Sequence, residues 1–109
     1  MRKFEAVLLL SPDLSKSLVS NEDENFSKII ETSQGKVISS EDWGLKDISF
    51  KIENYKKAFY RFYQIEINGS NIIDIKKNLT QNEKILRHLI VNVEKHQELP
   101  TKMFKNEEK

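Results

Sequence analysis

The chain opens on alternation. Phe4, Ala6, Leu8 and Leu10 fall on one side of an extended segment, and Glu5, Val7 and Leu9 on the other, which predicts a strand from Arg2 to Leu10. Ser11-Pro12-Asp13 then reads as a helix start, with a capping serine, a proline suited to the first turn and an acid at the positive end of the dipole. Leu14, Leu18, Phe26, Ile29 and Ile30 form an apolar stripe at helical spacing. The polar run Asn21 to Asn25 sits inside this helix or kinks it, and Gly35 supplies its stop. A second strand runs from Lys36 to about Leu45. Beyond it Ile48, Phe50 and Ile52 alternate and extend a strand or hairpin arm. Ala58 to Ile67, dense in aromatic and β-branched residues, is the clearest strand. Asn68-Gly69-Ser70 reads as a turn closed by a capping serine. Ile72, Ile75 and Leu79 then mark a short amphipathic helix ending near Asn82, and Ile85 to Val93 the last strand.

The order β-α-β-β-α-β, with right-handed crossovers, predicts an α+β fold of the ferredoxin-like kind: a four-stranded antiparallel sheet with two helices on one face. A chain of 109 residues suits one domain. We place it over residues 1–94, with 95–109 as a flexible polar tail, because little after Glu94 can be buried.

Composition narrows the function. Cysteine is absent, which removes disulfides and thiolate metal sites and fits a reducing, cytoplasmic setting. The first apolar stretch is short, interrupted by Glu5 and followed by no small-residue cleavage site, so no signal peptide is expected. No apolar run approaches the roughly 20 residues needed to cross a bilayer. Net charge is only +1, but unevenly spread. Ser11 to Gly35 holds five acids against two lysines, whereas Leu45 to Lys95 holds ten basic residues against six acids. A local basic patch can therefore exist on a nearly neutral protein.

Several strings carry a resemblance. Met1-Arg2-Lys3-Phe4-Glu5 opens the chain, Glu41-Asp42-Trp43-Gly44-Leu45-Lys46 closes the second strand, Lys57-Ala58-Phe59-Tyr60 enters the third, and Asn82-Glu83-Lys84-Ile85-Leu86-Arg87 enters the last. In these the sequence resembles the bacterial small-subunit ribosomal protein S6 family from Met1 to about Val93. The resemblance implies a ferredoxin-like fold, a structural role in the small ribosomal subunit, and binding of small-subunit ribosomal RNA as a pair with ribosomal protein S18. The chain departs from the family twice: Leu45-Lys46 stands where an arginine pair is frequent, and Phe50-Lys51-Ile52 where Tyr-Pro-Ile is frequent. The first departure lowers bidentate phosphate capacity.

The residues give their own reading. On the third strand Phe59, Arg61, Tyr63, Ile65 and Ile67 share one face, and Tyr60, Phe62, Gln64 and Glu66 the other. With both helices on one side, the second face is open. Its rings either stack bases or pack under a partner or loop. Lys46, Lys51, Lys56, Lys57 and Arg61 cluster near the loop, and such side chains either neutralise phosphates or lie solvated. On the last strand Ile85, Arg87, Leu89 and Val91 are read on one face, and Leu86, His88 and Ile90 on the other. If Arg87 looks outward, His88 is a satisfied histidine under the helices. The expected RNA-binding residues are Arg2, Lys3, Lys56, Lys57, Tyr60 and Arg87. The expected protein-partner residues are Glu41, Asp42, Trp43 and Leu45, on an edge strand that invites docking. Trp43 either anchors that partner or covers the sheet.

No motif supports catalysis, a cofactor, a metal, DNA, a membrane or a small-molecule substrate. The run Glu22-Asp23-Glu24 reads as a hydrated helix face. A phosphatase reading meets Ser11-Pro12-Asp13, where an acid and a missing backbone donor oppose an anion. The alternative from another class is a ferredoxin-like dimerising or small-molecule-sensing module that uses the aromatic sheet face.

Overall fold

In the computed structural model, which describes residues 1–52 and 54–99 apart from the side chains of 49–51, the order is β-α-β-β-α-β. β1 spans Arg2–Leu10, α1 Lys16–Thr32, β2 Lys36–Ile52, β3 Tyr55–Ile67, α2 Ile72–Gln81 and β4 Ile85–Val93, with a single 3-10 turn at Gly69–Asn71 before α2. The strands form one sheet in the order β2-β3-β1-β4. Every pair is antiparallel, so the expected fold class is the one observed.

Alternation decides what each face buries. Phe4, Ala6, Leu8 and Leu10 of β1 and Tyr63, Ile65 and Ile67 of β3 face the helices, where they meet Phe26 and Ile30 of α1 and Ile72, Ile75 and Leu79 of α2. Phe26 and Tyr63 pack ring to ring at 4.4 Å between centroids. Opposite, Leu9, Ile52 and Ala58 form a second small core with Val7, Ile48, Tyr60 and Leu86 around it. That core exists because β2 runs on to Ile52 as a hairpin arm and folds its apolar residues over the end of the sheet. Phe50 and Lys51, named from the pattern, have side chains outside the described residues.

The first helix begins later than expected. Ser11 does not cap it: its hydroxyl accepts from the Asp13 N–H at 3.3 Å within a turn. The cap is Ser15, which takes the Leu18 N–H at 3.3 Å. The buried stripe is Val19, Glu22, Phe26 and Ile30, spaced three and four apart, while Leu18 is turned outward. The polar run neither kinks nor ends the helix.

Its C-terminus is a Schellman turn, in which Gly35 N–H donates to Ile30 C=O at 2.8 Å and Gln34 N–H to Glu31 C=O at 2.9 Å. The left-handed residue is Gln34 (φ 66°), not Gly35. Gly35 is required for a different reason: a Cβ there would lie 2.8 Å from the Glu66 carbonyl oxygen. Before α2 the capping side chain is Asn68, which accepts from the N–H and hydroxyl of Ser70, rather than Ser70 itself.

Candidate functional site: the sheet ends and the roofed face

The face away from the helices is only partly open. In β2 the register shifts between Asp42 and Gly44, which pair with Arg61 and Tyr60, so Trp43 is an extra residue in a bulge. Gly44 takes φ 77° and donates its N–H to Asp42 Oδ1 at 2.8 Å, which holds the bulge in shape. Trp43 lays its ring on Phe62, with centroids 5.3 Å apart and planes within 8°, and reaches Tyr60 at 6.5 Å. Its indole N–H donates to Glu41 at 2.9 Å, and Lys46 stands 5.6 Å over the ring. Phe62 is thereby buried at 2% exposure and closed to a base, whereas Tyr60 stays half-buried. Of the two readings of this face, cover by the chain's own residues is the observed one at Phe62.

Two faces of the third strand carry opposite polar chemistry. Arg61, on the helix side, bonds Asp23 Oδ1 of α1 at 2.8 Å and Asp42 Oδ2 of β2 at 3.2 Å. Tyr63 donates its hydroxyl to the same Asp23 oxygen at 2.6 Å. Burial and that hydrogen bond push the Tyr63 phenol well above its usual range. Burial pulls the Arg61 guanidinium down, but Tyr63 and Asp23 together outweigh it and leave it above its ordinary value. Arg61 therefore ties α1 to the edge strand and is not available to phosphate. A cavity of about 410 Å³ is lined by Arg61 and Asp23 together with Val19, Asp42 and Phe59.

The acidic run of α1 is not a hydrated face. Glu22 is buried at 4% exposure and accepts from Asn25 at 3.0 Å and Asn82 at 2.6 Å. Asp23 holds Arg61 and Tyr63, and only Glu24 is exposed. On the far side of the sheet lies a network that the pattern alone did not show. Glu5 is buried at 8% exposure and accepts from Gln64 Nε2 at 3.1 Å, Gln97 N at 2.9 Å and Gln97 Nε2 at 3.0 Å. Gln64 also donates to the Gln97 carbonyl at 2.8 Å. The segment after β4 thus crosses the face at β1 and β3, where Gln97 is held by Glu5 and Gln64. The rest of the expected tail, 100–109, lies outside the described residues.

The six expected RNA-binding residues divide by position. Lys56, Tyr60 and Arg87 sit toward the hairpin end, on the face away from the helices. From the sheet spacings, Lys56 and Arg87 are about 16 Å apart along the backbone grid. Lys57 lies at the same end but points to the helix side, 3.9 Å from Asp47. Arg2 and Lys3 are at the opposite end of β1, about 24 Å and about 20 Å from the Leu9 position that pairs with Arg87. Lys3 shares the open face, whereas Arg2 lies over Gly69, where its Cδ is 3.3 Å from the Cβ position.

Of the expected partner residues, Glu41 and Trp43 lie on the open-face side of β2, and Asp42 and Leu45 on the helix side. They share its outer edge rather than one face. β4 also departs from strict alternation. The register shift opposite Leu9 and Leu10 puts Ile85 on the helix side with the main core and Leu86 with the small core. Arg87, Leu89, Val91 and Val93 then face away from the helices, and His88 and Ile90 face them. His88 loses basicity through burial and then through the nearby Lys76 charge.

These features define the class: a ferredoxin-like domain with a roofed sheet face, a free edge strand and cations at both sheet ends. The solved structure of 30S ribosomal protein S6 from Thermotoga maritima has this fold, with a TM-score of 0.81 and 20% identity over 84% of this chain and 87% of that one. Residues 3–92 match the family model described as Ribosomal protein S6, and the chain belongs to that family. Among its relatives, small ribosomal subunit protein bS6 of Flavobacterium johnsoniae is 30% identical over 88% of this chain and 85% of that protein. The bS6 protein of Zymomonas mobilis is 30% identical over 96% and 85%. The family is one of small-subunit ribosomal proteins. No helix among the described residues is long and apolar enough to cross a membrane.

Proposed function

We propose that this chain is a non-catalytic structural component of the small ribosomal subunit in the cytoplasm, binding small-subunit ribosomal RNA jointly with ribosomal protein S18. Family membership supports the setting. The observation that supports the RNA reading is that Lys56, Tyr60 and Arg87 share the open face toward one sheet end, with Lys57 on the other face there, while Arg2 and Lys3 lie at the opposite end. Phosphate contacts of this kind fix position without reading sequence. The exposed members, Arg2, Lys56, Lys57 and Arg87, can meet phosphate at the surface while keeping much of their hydration. Partner contact falls to the outer edge of β2, where Glu41, Asp42, Trp43 and Leu45 offer acids beside apolar surface to a basic protein. A homodimer built on the aromatic face is disfavoured because Trp43 already covers Phe62.

Sedimentation of the tagged full chain tests this reading. It should travel with small subunits through a high-salt gradient. Free protein at the top of the gradient would contradict it.

A further inference from the structure

At the sheet end away from the hairpin, Arg2 pairs with Ile67, the last residue of β3. Ile67 is buried against the helices, so Arg2 lies on the helix side with it, whereas the next pair, Lys3 and Glu66, lies on the open face. Two residues beyond Ile67, Gly69 meets the Arg2 side chain. A Cβ at Gly69 would stand 3.3 Å from Arg2 Cδ, 3.6 Å from Nε and 3.9 Å from Cζ, so the side chain passes across the bare glycine from stem to guanidinium. The backbone does not call for glycine here. Among the described residues the positive φ angles belong to Gln34 and Gly44, and Gly69 opens a 3-10 turn that any residue can adopt. That turn is capped by Asn68, whose side chain takes the Ser70 N–H. What the missing Cβ provides is room for Arg2. Arg2 forms no ion pair among the described residues, so packing sets its place and its charge is uncommitted.

We infer that Gly69 is a positioning residue for Arg2: its bare backbone is the seat across which the Arg2 side chain lies, and it thereby fixes where the guanidinium meets a phosphate of ribosomal RNA. The inference rests on the RNA reading above, and within it on Arg2. A guanidinium already held in one place gives up less freedom when it binds phosphate. A side chain at position 69 lifts Arg2 from its seat. Arg2 is exposed and next to the N-terminus, so it yields without cost to the fold.

The test is the affinity of the full chain, with S18 present, for deproteinised small-subunit ribosomal RNA over a range of salt concentrations. Arg2→Gln should weaken binding about tenfold near about 0.1 M salt and lower the slope of log affinity against log salt by about one, as the loss of one phosphate contact does. Gly69→Ala should weaken binding about threefold, part of the way to losing that contact. Gly69→Gln fills the seat and should approach both the loss and the slope of Arg2→Gln. In the Arg2→Gln chain neither change at position 69 should weaken binding further. Gly69→Ala should melt no lower than the parent, because alanine at a compatible dihedral restricts the unfolded chain. Parent affinity in both Gly69 variants would overturn the inference, as would an equal loss from them in the Arg2→Gln chain, or no loss from Arg2→Gln itself. A melting temperature that falls together with affinity in Gly69→Ala would also overturn it, by marking a merely structural glycine. If the unaltered protein ignores the RNA, the functional reading fails instead, and that result is distinct from the others.

Discussion

Glu22 shows how much one side chain can hide. Its carboxylate is buried against two amides, from Asn25 and Asn82, and so links α1 to the turn before β4. Glu22→Ala should cost about 1–3 kcal/mol in urea unfolding, since Asn82 loses its acceptor in a half-buried site. In the sequence this residue reads as surface because it sits among Asn21, Asp23, Glu24 and Asn25. The signal that finds it is spacing: Val19, Glu22, Phe26 and Ile30 share a stripe, and a charge on a stripe is buried with partners. The Gln34-Gly35 pair carries a similar lesson. Gln34→Gly should stabilise by roughly 0.5–1 kcal/mol, by relieving a left-handed residue at the helix end. Gly35→Ala should cost about 1–3 kcal/mol, because the new Cβ meets β3 backbone rather than a flexible side chain. A glycine near a helix end signals the turn, but only the strand beside it tells which residue needs to be glycine.

Among the elements, all four strands and both helices were legible from periodicity, because each buries one face. What escaped were the irregularities. A bulge at Trp43 and another opposite Leu9 and Leu10 each shift the side-chain phase, and a strict two-residue period cannot anticipate them. The first puts Trp43 over Phe62. Trp43→Ala should therefore destabilise by about 2–4 kcal/mol and expose Phe62 and Tyr60, read as a raised response to a hydrophobic dye together with a lower urea midpoint. The second puts Ile85 rather than Leu86 on the helix side, while His88, paired with Leu8, lies under the helices as alternation from Arg87 expects, with its proton affinity lowered. A folded state that prefers the neutral ring is stabilised above the unfolded pKa of about 6.5, and loses that contribution as pH falls through it. Between pH 7.5 and 5.5 the melting temperature should fall less in His88→Asn than in the parent. An equal fall in both would show that His88 contributes nothing to the slope.

At the scale of the molecule, the sheet separates tasks. One side is filled by helices and stitched by Arg61, Asp23 and Asp42. The other is roofed by Trp43 at its middle and crossed by Gln97 near Glu5, leaving cations at the two ends. The sequence named those cations but not their separation, since Arg2 and Arg87 are brought into one sheet only by pairing across more than eighty residues. It also hid the segment after Glu94, whose contact with Glu5 depends on amides rather than apolar burial. Near-neutral net charge makes each cationic point weak alone, so under the proposed function a partner on the β2 edge supplies the remaining affinity. The most direct test is the affinity of the full chain for small-subunit ribosomal RNA at fixed salt, with and without S18. The account predicts binding at least about tenfold tighter as the pair. Equal affinity in the two conditions would contradict it.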